Sequence, residues 1–222
     1  MSDDKYLAAR QQIVETGHAL IEKRLVAGSW GNISCRVDAD KFAITPSGRG
    51  YAVLAHSDVV IINSQCQTVD GSLVPSSESP LHAAVYAACP EAGAIIHTHS
   101  IYASALAAMH KPVPAYIEDI VQIIGGRVEC AEYALPGTEE LAQNAVAAMA
   151  GRKAVLLANH GAVVWGKNLS DALIVAEVLE KAAQIVIICQ QCGGAVELPD
   201  EDIQVMHRFY TEHYQKRQQG EE

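Results

Sequence analysis

The chain has 222 residues, half of them hydrophobic and 19% charged, with 26 acidic against 16 basic residues and a net charge of −10. That length suits one large domain with a full core, and that composition excludes an intrinsically disordered chain. No stripe or cluster of Arg and Lys occurs, which argues against a nucleic-acid partner, and no apolar run reaches bilayer-spanning length.

The opening residues Met1-Ser2-Asp3-Asp4-Lys5 lack a charged-then-apolar leader, so a cytoplasmic protein without a membrane partner is expected. The six cysteines, at 35, 66, 89, 130, 189 and 192, are then expected as reduced thiols. Cys189-Gln190-Gln191-Cys192 has the spacing of a redox pair or half a zinc site. It has no second CxxC and ends a long apolar helix, so it reads as two small thiols.

Leu7, Ile13, Val14, Leu20, Ile21 and Leu25 recur at helical spacing and predict an amphipathic helix over 5 to 27, stopped at Ala27-Gly28. Short β-like runs follow at 31–37, 41–45 and 58–63, separated by Gly, Pro and Asp turns. A helix is predicted over 79–89, halted at Pro90, then a buried strand over 94–98 and a helix over 100–109. Residues 138–149 form a helix whose start, Thr138-Glu139-Glu140, has N-cap chemistry. Residues 154–157 and 162–165 read as a strand pair around His160-Gly161. A long helix over 169–191, started by Ser170-Asp171, and a last one over about 200–216 complete the list, with a frayed tail from about 217 to 222. The early strands lie close together with no helices between them. That predicts one α/β domain over 1–222, with an antiparallel or mixed sheet covered by helices.

Two features carry chemistry. In Ala94-Ile95-Ile96-His97-Thr98-His99, strand periodicity puts His97 and His99 on one face. With His160 from a distant turn they make three imidazoles and an open position, the pattern of a catalytic metal site. The second feature is three anion-binding loops: Gly28-Ser29-Trp30-Gly31-Asn32, Thr45-Pro46-Ser47-Gly48 and Ser76-Ser77-Glu78-Ser79. Glycines allow close backbone approach, hydroxyls and the Asn32 amide donate, and the third loop opens a helix. His18, His56, His110, His207 and His213 have no motif context.

Taken together, Gly31-Asn32-Ile33-Ser34, Ile44-Thr45-Pro46-Ser47-Gly48 with Tyr51, Ser76-Ser77-Glu78 with His82, His97-Thr98-His99 and Asn159-His160-Gly161 resemble the class II aldolase/adducin family over nearly the whole chain. The resemblance implies a central, mainly antiparallel sheet flanked by helices and a four-fold symmetric homotetramer with active sites at subunit interfaces. It also implies Zn2+ on His97, His99 and His160, with Mn2+ or Co2+ as other candidates. Glu78 would be the acid/base and a further ligand when substrate is absent, and Ser29, Gly31, Asn32, Ser47, Gly48, Ser76 and Ser77 the phosphate contacts. Partial burial is expected to raise the pKa of Glu78 toward neutrality, with the nearby cation limiting the rise. His82 reads as a helix-face histidine with a structural hydrogen bond.

The implied activity is reversible cleavage of a phosphorylated ketose to dihydroxyacetone phosphate and an aldehyde, through an enediolate. One departure stands out. Fuculose-phosphate aldolases carry a tyrosine six residues before a Gly-Gly pair, and counting back from Gly125-Gly126 gives Asp119 here. Asp119, Glu118 or Tyr116 would then serve the aldehyde end, or simply start a helix, and Trp30, Tyr51 and the last helix would also shape specificity. Tyr210 and Tyr214 occupy the segment that closes over the site in the family, or simply pack. Dehydration of a methylthioribulose phosphate and decarboxylation of a 3-oxo-tetronate phosphate are alternatives. Epimerisation is disfavoured by Glu78, since the epimerases carry Asp there. A non-enzymatic adducin-like interaction module is disfavoured by the intact histidine set.

Overall fold

A computed structural model describes residues 2–214. Eight strands form one sheet in the order β4-β3-β2-β1-β5-β8-β7-β6. They are β1 (Asn32–Arg36), β2 (Lys41–Ile44), β3 (Val60–Asn63), β4 (Thr68–Asp70), β5 (Ala94–Thr98), β6 (Cys130–Ala131), β7 (Ala154–Leu157) and β8 (Gly161–Gly166). Every pairing is antiparallel except β6 with β7, so the expected antiparallel or mixed sheet is what forms. The helices are α1 (Ser2–Glu22), α2 (Ser79–Ala88), α3 (Ile101–Ala108), α4 (Glu118–Ile124), α5 (Glu139–Met149), α6 (Leu169–Gln191) and α7 (Asp200–Phe209).

Strand alternation divides the core between the two faces. Ala94 and Ile96 of β5, Ile33 and Cys35 of β1 and Ala162 and Val164 of β8 pack toward α1, α3, α4 and α6. Ile95, Val163 and Trp165 point the other way, into a smaller core under α2 and α5. Asn32, Ser34 and His97 share that second face by register, since Asn32 pairs with His97 and Ser34 with Ile95. Polar chemistry is thus set into one end of an apolar layer.

Several boundaries differ from the sequence reading. The first helix ends at Glu22, five residues short of expectation, because Arg24 turns to a left-handed φ of 58° and sends Leu25 and Val26 into the core. The long helix α6 is capped by Asn168, whose side chain accepts from the Asp171 N–H, two residues before the Ser170-Asp171 pair expected to start it. Strands β4 and β6 are unpredicted, and α7 gives way at Tyr210 to a wider helical turn that reaches Tyr214. The last two residues of the predicted final helix and the tail lie outside the described residues. All six cysteines are free thiols, with Cys192 exposed at the end of α6.

Candidate active site

Three chain segments bring the histidines together. His97 is the penultimate residue of β5, and His99 follows one residue beyond the strand end. His160 sits in the tight β7–β8 connection, where Leu157 pairs with Gly161 and Asn159 takes a left-handed φ of 54°. Asparagine tolerates that conformation better than most residues. The Nε2 atoms of His97 and His99 are 2.9 Å apart, and one nitrogen from each of the three rings lies within 4.8 Å of the others. The predicted clustering therefore forms, although His99 is past the strand.

Two glycines make the approach possible. Gly31 has a φ of +94°, and a Cβ there would lie 2.5 Å from the His97 carbonyl oxygen. At Gly161 a Cβ would lie 2.3 Å from the Thr98 carbonyl oxygen. Gly31→Ala is therefore expected to cost about 3 kcal/mol or more and to displace the end of β5. Chemical denaturation together with metal content measures both effects, and an unchanged midpoint would show that the close approach is not needed.

The donor set suits a divalent cation. His97 Nδ1 donates to the Ala162 carbonyl at 2.9 Å, which fixes the tautomer and leaves the Nε2 lone pair facing its neighbours. Glu78 places Oε2 3.2 Å from His97 Nε2 and Oε1 3.5 Å from His160 Nε2. Glu78 Oε1 is buried with no hydrogen-bond partner, and buried polar atoms are rarely left so without a functional reason. Burial first, and then the neighbouring imidazoles, push both His99 and His160 down to about 4, so both are neutral bases at physiological pH.

Glu78 departs from expectation. Burial alone would push it up, but the imidazoles of His97 and His160 and the Asn32 amide outweigh burial and hold it below its usual range. At neutral pH it is a carboxylate, not a group poised near neutrality.

These shifts fix the sign of the pH dependence. Below the ordinary histidine value of 6.5, an unfolded chain takes up protons that folded His99 and His160 refuse until about 4 and His82 until about 3. The stabilisation is complete above 6.5 and is lost as pH falls through that window. His82 alone should cost the metal-free protein about 2 kcal/mol near pH 5, read as a lower urea midpoint than at pH 7.5. Equal midpoints would contradict the buried, neutral state of these rings.

Beside the histidines opens a cleft of about 680 Å3. All seven predicted anion contacts (Ser29, Gly31, Asn32, Ser47, Gly48, Ser76 and Ser77) line it, together with Glu78, His99 and His160. The loops are stitched to each other. Ser76 N–H donates to the Thr45 carbonyl, Ser47 N–H to the Val74 carbonyl, and Ile33 N–H to the Thr45 hydroxyl. The Ser76 hydroxyl accepts from Glu78 N–H at 3.2 Å, which leaves its own proton free for an anion. Ala27 and Asn159, named in the sequence only as a helix stop and a motif neighbour, also line the cleft, and so does Pro136, which no local pattern singled out.

Other expected contributors stand elsewhere. Trp30 lines the cleft, but Tyr51 is buried behind it and 2% exposed. Asp119 and Tyr116 are not among the cleft residues; the Asp119 carboxylate is held by the Lys181 ammonium, and Tyr116 packs against the larger core. The last helix is buttressed on α4, with His207 Nδ1 donating to the Val121 carbonyl, and Tyr210 is buried.

Residues 11–187 match the profile of the Class II Aldolase and Adducin N-terminal domain. A 5-deoxy-D-ribulose 1-phosphate aldolase of Bacillus thuringiensis is 36% identical, covering 88% of this chain and 92% of that protein. An L-fuculose phosphate aldolase of Escherichia coli is 35% identical over 90% of this chain and 94% of that protein. The structure of an L-fuculose 1-phosphate aldolase superposes with a TM-score of 0.89 at 38% identity, covering 92% of this chain and 96% of that one.

Proposed function

Since the chain belongs to the class II aldolase and adducin family and is similar in sequence and structure to the sugar-phosphate aldolases described above, we propose that it reversibly cleaves a phosphorylated ketose to dihydroxyacetone phosphate and an aldehyde. The observation that carries this reading is the convergence of three imidazoles and a buried carboxylate on one end of a cleft lined by hydroxyls and glycines.

In this proposal His97, His99 and His160 would hold a zinc ion, with Glu78 as a further ligand in the absence of substrate, and the ion would supply Lewis-acid stabilisation of the negative charge left by C–C cleavage. The phosphate docks between Ser29, Gly31, Asn32, Ser47, Gly48, Ser76 and Ser77, which fixes the reacting carbon near Glu78. Glu78 moves the proton at the carbon next to the dihydroxyacetone phosphate carbonyl. Its Oε2 takes a hydrogen bond from Asn32 Nδ2 at 2.7 Å, so Oε1 is the oxygen free to carry that proton.

Trp30 and Pro136 add apolar surface to the lining of the cleft, which suits an aldehyde with a short, unhydroxylated end. The Bacillus relative, named for a 5-deoxy sugar phosphate, makes acetaldehyde a second candidate beside the lactaldehyde that fuculose phosphate would release. We also propose, from the family resemblance, a homotetramer with sites at subunit boundaries; exposed Tyr133 and Leu135 beside the cleft residue Pro136 suit a surface covered by a neighbouring subunit, and light scattering checks the state. No helix among the described residues is long and apolar enough to cross a membrane. We also propose a cytoplasmic location, which the six free thiols support.

The test is condensation. Zinc-loaded protein with dihydroxyacetone phosphate and a panel including lactaldehyde and acetaldehyde should form a ketose phosphate with at least one. No condensation with any aldehyde, accompanied by loss of water or carbon dioxide from a methylthioribulose or oxo-tetronate phosphate, would replace the aldolase reading.

A further inference from the structure

Strand β1 and helix α2 face each other with matched polar periodicities. Asn32 and Ser34 are two apart on one strand face, while Glu78, His82 and Tyr86 are four apart along one helix face. Between them runs a continuous hydrogen-bonded chain. Tyr86 Oη lies 2.9 Å from Ser34 Oγ, Ser34 Oγ 2.6 Å from His82 Nδ1, His82 Nε2 2.5 Å from Asn32 Oδ1, and Asn32 Nδ2 2.7 Å from Glu78 Oε2. His82 and Ser34 are fully buried, and Asn32 is 5% exposed. The loops bind a phosphate and the histidines a metal in the function proposed above, yet nothing in that scheme uses His82.

We propose that His82 is a positioning residue for that reaction, fixing which way round the Asn32 amide sits and thereby which oxygen of Glu78 is free to work. The proton directions follow from the acceptor at the end of the chain. A Glu78 carboxylate accepts, so Asn32 must turn its Nδ2 toward it and its Oδ1 toward His82. That oxygen needs a donor, which makes His82 a neutral ring protonated at Nε2. Its Nδ1 is then an acceptor, so the Ser34 hydroxyl donates to it and accepts in turn from Tyr86. Burial holds the His82 ring neutral, pushing it down to about 3. With a leucine in its place the amide would lose its orienting donor. A rotated Asn32 would then set its oxygen against the carboxylate and withdraw its N–H groups from both Glu78 and the cleft.

The kinetic half of the test rests on the aldolase reading; the spectroscopic half does not. In the long-range 1H–15N spectrum of the zinc-loaded full chain, His82 should appear protonated at Nε2, and the Asn32 side-chain protons should resist exchange. H82L should release the Asn32 protons to fast exchange. It should lower kcat about 10- to 100-fold, with metal content unchanged and KM raised no more than about threefold, since the glycine and serine contacts remain. H82Q, which retains an N–H for Asn32, should restore the protection and most of kcat. An Nδ1-protonated ring, an Asn32 amide as protected in H82L as in the wild type, or full kcat in H82L would overturn the proposal. Should H82L fail to fold, the wild-type tautomer and the recovery of kcat in H82Q decide. If the wild-type chain cleaves no phosphorylated ketose, the functional reading fails, and the tautomer and amide exchange alone uphold or overturn the role of His82.

Discussion

Replacement of His97 by alanine is expected to lower kcat/KM by about 1000-fold or more and to leave the purified protein with little bound metal. His97 is fully buried, lies within reach of His99 and Glu78, and has its tautomer pinned by the Ala162 carbonyl. Its removal deletes one of three nitrogens and unties the other two. Charge stabilisation by a divalent ion is worth several kcal/mol, and each 1.36 kcal/mol is about tenfold in rate. His99→Ala and His160→Ala should follow the same pattern. A His97→Ala protein that kept both one equivalent of zinc and a tenth of its activity would break the link between this residue and catalysis. Elemental analysis beside steady-state kinetics reads both quantities.

Glu78→Gln is expected to separate chemistry from binding. Glutamine keeps the shape of the side chain and an oxygen for Asn32 to donate to, but it cannot take or return a proton. Proton exchange at the reacting carbon of dihydroxyacetone phosphate should fall about 100- to 10,000-fold, the range ascribed to a positioned general base. Zinc content should persist, because the three imidazoles remain, and affinity for dihydroxyacetone phosphate should change less than about threefold. The measurement is loss of label from deuterated dihydroxyacetone phosphate, followed by NMR. Exchange at the wild-type rate would remove Glu78 from the mechanism and shift attention to another base.

Much of this site was legible before any coordinates. The i, i+2 spacing of His97 and His99 at the end of an apolar run, and the abrupt His160-Gly161 turn, point to the imidazole cluster that forms, as the serine- and glycine-bearing turns point to the cleft they line. What escaped reading depends on distant packing. The pKa direction at Glu78 was misjudged because burial could be guessed from the sequence, whereas the combined pull of the His97 and His160 imidazoles and then of the Asn32 amide, 46 residues away, could not. His82 was read as hydrogen-bonded, but its partners lie 48 and 50 residues away on β1. Boundaries failed where a single backbone choice decides them, as at Arg24. Strand β6 is two residues long and exists only because β7 offers it an edge. Asp119, read from the sequence as a departure near the aldehyde end, answers to Lys181 and does not line the cleft.

X-ray absorption at the metal edge of the protein as purified, paired with activity before and after exhaustive chelation, probes the central claim most directly. The account predicts one divalent ion per chain with three imidazole nitrogens in its coordination shell, activity lost on chelation, and activity recovered when zinc is restored. A metal bound without imidazole, or full aldolase turnover in a preparation stripped of divalent ions, would contradict it.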